Sequence, residues 1–277
     1  MSTDPFQPRD PEEAAREVEP QLHVYGPGAI GATENRGYAR PGNRSPLELV
    51  VNAPEGFIPL WAKDMTLRWR FQERSMRFFE DPEAAKTAIK EQLGEALLAW
   101  GPDVIPVKFS QRNDDAWDFE IVVRKLDDCD INGCTLARAF FPDQGRHRLE
   151  LYPEMFTLSR KEQVDTLCHE LGHVFGLRHF FAQIHPDEVP FPSEVFGKHR
   201  PFTIMNYGSQ SELTDDDRAD LKGLYQEAWS RLLPEINGTP IRFVKPFSTI
   251  GASLENLVAV GQIPMPAGTA TDLGLGR

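Results

Sequence analysis

The sequence predicts an α+β fold. Apolar residues alternate with polar ones in short runs such as Met65, Leu67, Trp69 and Phe71, one long segment repeats them at helical spacing, and the runs lie on both sides of that segment. Alternation places every second side chain on one face of a strand, whereas a 3.6-residue period places them on one face of a helix.

Residues 1–56 are rich in Pro, Gly and charge, as in YGPGAIGATENRGYARPGNRSP, and hold no sustained period, so an irregular N-terminal extension is expected. The ordered domain is expected to begin near residue 57, with a first strand over 65–71. Asp81-Pro82 supplies a helix N-cap and a first-turn proline, and Ala85, Ile89, Leu93, Leu97 and Trp100 then mark an amphipathic helix that stops at Gly101-Pro102. Trp117, Phe119, Ile121 and Val123 alternate as a second strand, and apolar segments at Leu136–Phe141 and Leu149–Tyr152 predict two more. Ser159 and Glu162 form a capping box that opens another helix. A last helix starts at Thr214-Asp215-Asp216-Asp217, where an acidic first turn suits the positive end of the helix dipole. Residues 233–277 have no strong period and are expected to be a C-terminal extension, leaving 57–232 as the domain.

Charge and composition narrow the function. A formal net charge of −12 opposes binding to a phosphate backbone, so no nucleic-acid partner is expected. No run approaches the roughly 18 apolar residues of a membrane span, so no membrane anchor is expected. The N-terminus lacks the basic start and apolar block of a signal peptide, which points to a cytoplasmic protein or a leaderless route of export. Three cysteines, Cys129, Cys134 and Cys168, cannot all pair and fit a reducing compartment better than a disulfide framework, although Cys129 and Cys134 could close a small loop. Cys168 reads as a small buried hydrophobe.

The chemistry is concentrated in one segment. His169-Glu170-Leu171-Gly172-His173-Val174-Phe175-Gly176-Leu177-Arg178-His179 reads HExxHxxGxxH. On a helix, His169 and His173 lie one turn apart on one face and can share a metal ion. Gly176 can adopt the left-handed conformation that ends a helix, so that the chain turns and brings His179 to the same ion. Three histidines leave the fourth tetrahedral position of zinc open, which is a catalytic arrangement and not a structural one. The pattern arises by chance in a chain of this composition about once in twenty thousand. Zinc lowers the pKa of its water toward about 7, and Glu170 can take the proton as that water attacks a peptide carbonyl.

The segment resembles the zinc-binding consensus of the metzincins, the clan that contains astacins, serralysins, adamalysins and matrixins. Pro201-Phe202-Thr203-Ile204-Met205-Asn206-Tyr207-Gly208 resembles the Met-turn of that clan. The resemblance implies a zincin-like domain with a twisted mixed sheet, an active-site helix, a Met-turn and a C-terminal helix, split into an upper part, 57–179, and a lower part, 180–232. It implies a zinc endopeptidase acting on protein or peptide substrates, Met205 as the floor of the site, and Tyr207 as a further zinc ligand that swings to the transition state. Leu136-Ala137-Arg138-Ala139-Phe140-Phe141-Pro142 is similar to the matrixin edge strand, which implies that Ala137, Arg138 and Ala139 hold substrate. Arg138 stands where that strand carries a histidine for a second, structural zinc, so one zinc ion is expected. Phe180, after the third histidine, matches none of the common choices, and the resemblance stops at the clan.

Two further readings accompany this one: a fold that binds peptides without cutting them, and a latent proenzyme held by residues 1–56. The extension has no cysteine to cap a zinc ion, and His23 reads as solvated. Asp127-Asp128-Cys129-Asp130 with Asn132-Gly133 could attract calcium but lacks the spacing of a dedicated loop. Arg146-His147-Arg148 is too short to be a basic patch, and His147, His185 and His199 have no second ligand nearby in sequence.

Overall fold

In a computed structural model of the chain, the residues described are 5–6, 49–53, 56–130, 133–179, 193–196, 203–205 and 212–249. The elements run β1 (Leu49–Asn52), β2 (Ile58–Trp61), β3 (Thr66–Phe71), α1 (Glu73–Met76), α2 (Pro82–Trp100), β4 (Lys108–Gln111), β5 (Phe119–Val123), β6 (Asp128–Asp130) and β7 (Gly133–Thr135). They continue with β8 (Ala137–Arg138), β9 (His147–Leu151), a 3-10 turn (Pro153–Thr157), α3 (Arg160–Val174), β10 (Ser193–Phe196), α4 (Asp215–Trp229), β11 (Glu235–Ile236) and β12 (Thr239–Val244).

The central sheet has the order β4-β3-β5-β9-β8, parallel except for the antiparallel edge strand β8. This is the mixed sheet of the predicted α+β class. β3 buries Leu67, Trp69 and Phe71 on one face, as its alternation predicts. β5 is buried at every position, which suits a central parallel strand covered on both faces, and its inward carboxylate Glu120 is satisfied by Arg70.

The helix over 82–100 forms as expected. Asp81 Oδ1 accepts the Glu83 and Ala84 amides, and Ala85, Ile89, Leu93, Ala96 and Trp100 are buried. That face packs on α3, where Trp100 Nε1 donates to the Cys168 carbonyl and Gln92 donates to Gln163. The strand expected over 136–141 is only two residues long. Beyond Arg138 the chain leaves the ladder, and the Ala139 amide donates to the Glu170 carboxylate.

Strand pairing crosses both boundaries drawn from the sequence at 57 and 232. β1 pairs with β10 and bridges to Leu177 through Val51, while β12 runs parallel to β2. Past β12, Ser248 donates through its amide and hydroxyl to buried Asp118. Phe6 is also buried, its ring against Phe79 and Phe156. Composition predicted loose extensions because pairing with a distant strand leaves no local period.

The cysteine reading needs correction. Cys129 and Cys134 are joined by a disulfide between β6 and β7, and both residues are exposed. Disulfides persist in oxidising surroundings, so these two cysteines do not mark a reducing compartment. Cys168 is buried, and burial pushes its thiol up to about 12. Because the bridge closes a loop with a sequence separation of 5, replacing both Cys129 and Cys134 with serine is expected to cost about 2 kcal/mol. Denaturant titration checks this: dithiothreitol should shift the wild-type midpoint by the same amount and leave the double variant unmoved.

Candidate metal centre

Helix α3 carries the motif, and its start is fixed locally. The Ser159 side chain accepts the Glu162 amide and Glu162 accepts the Ser159 amide, so the capping box is complete. Its end is fixed by a turn that satisfies the Leu171, Gly172 and His173 carbonyls. Leu177 donates to Gly172 and Gly176 to His173, the double bond of a Schellman motif, with Gly176 at φ 94. Trp61 Nε1 donates to the Val174 carbonyl at 2.7 Å, and the Tyr225 hydroxyl donates to Phe175 at 3.0 Å. β2 and α4 therefore clamp the turn that carries His179.

The three histidines meet in space. Ring centroids of His169 and His173 are 4.8 Å apart, those of His173 and His179 4.7 Å, and those of His169 and His179 5.1 Å. His169 Nδ1 donates to the Ile204 carbonyl at 2.7 Å and His173 Nδ1 to Leu177 at 2.8 Å. A carbonyl only accepts, so both protons sit on Nδ1 and both Nε2 lone pairs face inward. His169 Nε2 and His179 Nε2 are 3.2 Å apart. Two nitrogens bound to one tetrahedral zinc are expected at about 3.3 Å, so the donor set fits that ion. Burial and the two neighbouring rings hold the His173 pKa well below the usual value, and a neutral imidazole is the form that ligates. Among the described residues, this is the group of side chains able to hold a metal.

Glu170 is buried, with its carboxylate accepting the Ala139 amide. Its Oε2 has no hydrogen-bond partner. Burial raises the carboxyl to about 8, against the opposing pull of the Ala139 amide and Arg138. A buried carboxylate oxygen with no hydrogen-bond partner, on the helix that carries His169 and His173, is a polarity that a cation and its water would complete.

Met205 is fully buried and lies against α3 at Gly172. A β-carbon at Gly172 would lie inside the van der Waals shell of Met205 Sδ, so a glycine is needed in the last turn of α3. Ile204, the residue before Met205, is held from two sides: its carbonyl accepts from His169 and its amide donates to Asp217. Asp217 also closes a capping box with Thr214 at the start of α4. Sequence reading took Asp217 only as an acidic first turn and passed over Gly172, Trp61 and Tyr225. An isolated glycine inside a helical pattern, which costs about 1 kcal/mol against alanine, was the available signal.

The matrixin family model, peptidase family M10, matches residues 60–188. The match supports a metzincin-clan catalytic domain over those residues. The matched family is one of metallopeptidases, and the mixed α+β fold described above agrees with its zincin-like architecture. None of the curated proteins compared with the chain matches it.

Other expected residues of the metzincin domain divide into those placed and those not. Ala137 and Arg138 form edge strand β8 and Ala139 follows it. Tyr207, Phe180, His23, His185 and His199 lie outside the described residues. In the acidic cluster, Asp127 accepts the Glu154 amide and Asp128 pairs with Arg138, so both carboxylates have protein partners where calcium was considered. His147 stacks on Phe140, away from the histidine cluster. Among the described residues no helix is long and apolar enough to cross a membrane.

Proposed function

We propose that this protein is a zinc-dependent endopeptidase with His169, His173 and His179 as metal ligands and Glu170 as general base. The observation that carries the reading is the histidine cluster with the partnerless Glu170 Oε2 on the same helix. Zinc, when bound there, supplies a Lewis acid that lowers the pKa of a ligated water toward about 7 and polarises a carbonyl.

The chain's own residues do the rest. Glu170 Oε2 takes a proton from the attacking water and returns it to the departing amine, so that one water and one peptide bond become a carboxylic acid and an amine. The Ala139 amide keeps the other carboxylate oxygen in place. Among the described residues no strand pairs with the other side of β8, and its backbone groups there can take an extended peptide as a further strand. By its resemblance to the metzincin Met-turn, Tyr207 is assigned as a hydroxyl donor to the developing oxyanion. The working unit takes in β1 and β12 together with 57–232, since both are bonded to it.

The test is metal analysis of purified protein alongside cleavage-site profiling on a mixed peptide library. One zinc per chain is expected, with cleavage that a chelator abolishes and added zinc restores. Zinc-loaded protein that binds peptides but releases no fragments would establish the silent binding module instead.

A further inference from the structure

Phe141 is the described aromatic next to the metal centre that serves no core. It is half-buried and lies outside the hydrophobic core and the side chains packed against it. Its ring contact among the described residues is with His173, edge-to-face at 5.4 Å and 78°. The chain on either side is pinned to the site: Ala139 donates to Glu170, and buried Pro142 lies beside Gly176, its Cγ 3.5 Å from where a β-carbon on that glycine would be. The exposed part of the Phe141 ring is therefore held at the end of the free sheet edge, against a metal ligand.

Resting on the peptidase reading above, we infer that Phe141 is a specificity-determining residue that selects a large apolar side chain on the amino-terminal side of the scissile bond. The direction follows from strand addition. Antiparallel pairing is the more stable orientation per residue. A peptide laid antiparallel to β8 with its reacting carbonyl at Glu170 then runs its amino-terminal side toward Phe141. An apolar side chain set on the open part of the ring loses contact with water, while a small or charged one gains nothing there.

The experiment compares wild-type protein with Phe141→Ala on peptides varied at each of the three positions before and the three after the scissile bond. In wild type, kcat/KM for Leu or Phe over Ala at one position on the amino-terminal side should be about ten-fold or more, the low end of what an apolar contact discriminates. Phe141→Ala should bring that ratio to about two or less, with the change in KM and with zinc content unaltered. If the truncation fails to fold, Phe141→Lys places a charge at the same half-exposed point and should replace the apolar preference with one for Asp or Glu. An unchanged ratio overturns the inference. So does an equal fall in kcat for every peptide, which would make the ring only a support for His173, and so does a preference lost after the scissile bond. Wild-type protein that cuts no peptide would instead remove the peptidase reading itself.

Discussion

Glu170→Ala is expected to lower peptide hydrolysis by at least about 100-fold, the lower end of what a positioned general base contributes, while zinc content stays at the wild-type level. The two halves of that expectation come from different atoms. His169, His173 and His179 supply the ligand lone pairs, and two of them are oriented by the Ile204 and Leu177 carbonyls, none of which the substitution touches. What is lost is a carboxylate whose Oε2 has no other use in the fold. Removing a group that burial pushes to about 8 should also not unfold the domain, because its charged form is poorly solvated where it sits. Single-turnover cleavage with metal analysis of the same sample reads both halves. Cleavage at the wild-type rate would show that another group takes the proton.

Gly172→Ala is expected to destabilise the domain by about 1–3 kcal/mol, the usual cost of overpacking, even though alanine is the better helix former. The cause is local: the added methyl meets Met205 Sδ, and Met205 is fully buried with nowhere to retreat. The sign should reverse in a Met205→Ala background, where the methyl meets open space and only the helix propensity, about 1 kcal/mol in favour of alanine, remains. Four denaturation curves make the cycle. If Gly172→Ala costs the same with and without Met205, the close approach of α3 to the Met-turn is not what requires the glycine.

The histidines, Glu170, Gly176 and the capping boxes were legible because their physics is local. Ligands one helical turn apart, a left-handed turn after a helix and a reciprocal cap are all set within ten residues or so. β3 and α2 were legible for the same reason, since each announces its buried face by its own period. Residues whose work depends on a distant partner were not. Trp61 and Tyr225 are 113 and 50 residues from the helix-end carbonyls they satisfy. Nothing near Asp217 in sequence tells that its carboxylate accepts the Ile204 amide. β12 has no reason to be a strand until β2 lies beside it.

The sequence by itself determined the metal chemistry: which side chains could ligate, that three histidines leave a coordination position open, and that a carboxylate stands next to the first of them. Only the tertiary structure decided how that chemistry is held. It turned two Nδ1 protons onto carbonyls so that the lone pairs converge, buried Glu170 with one oxygen bonded and one free, pressed Met205 against a glycine, and joined β1 and β12 to the domain. The physical reason is that ligand type and local turn geometry are properties of short segments, whereas hydrogen-bond orientation and close packing depend on atoms that the chain brings together from far apart.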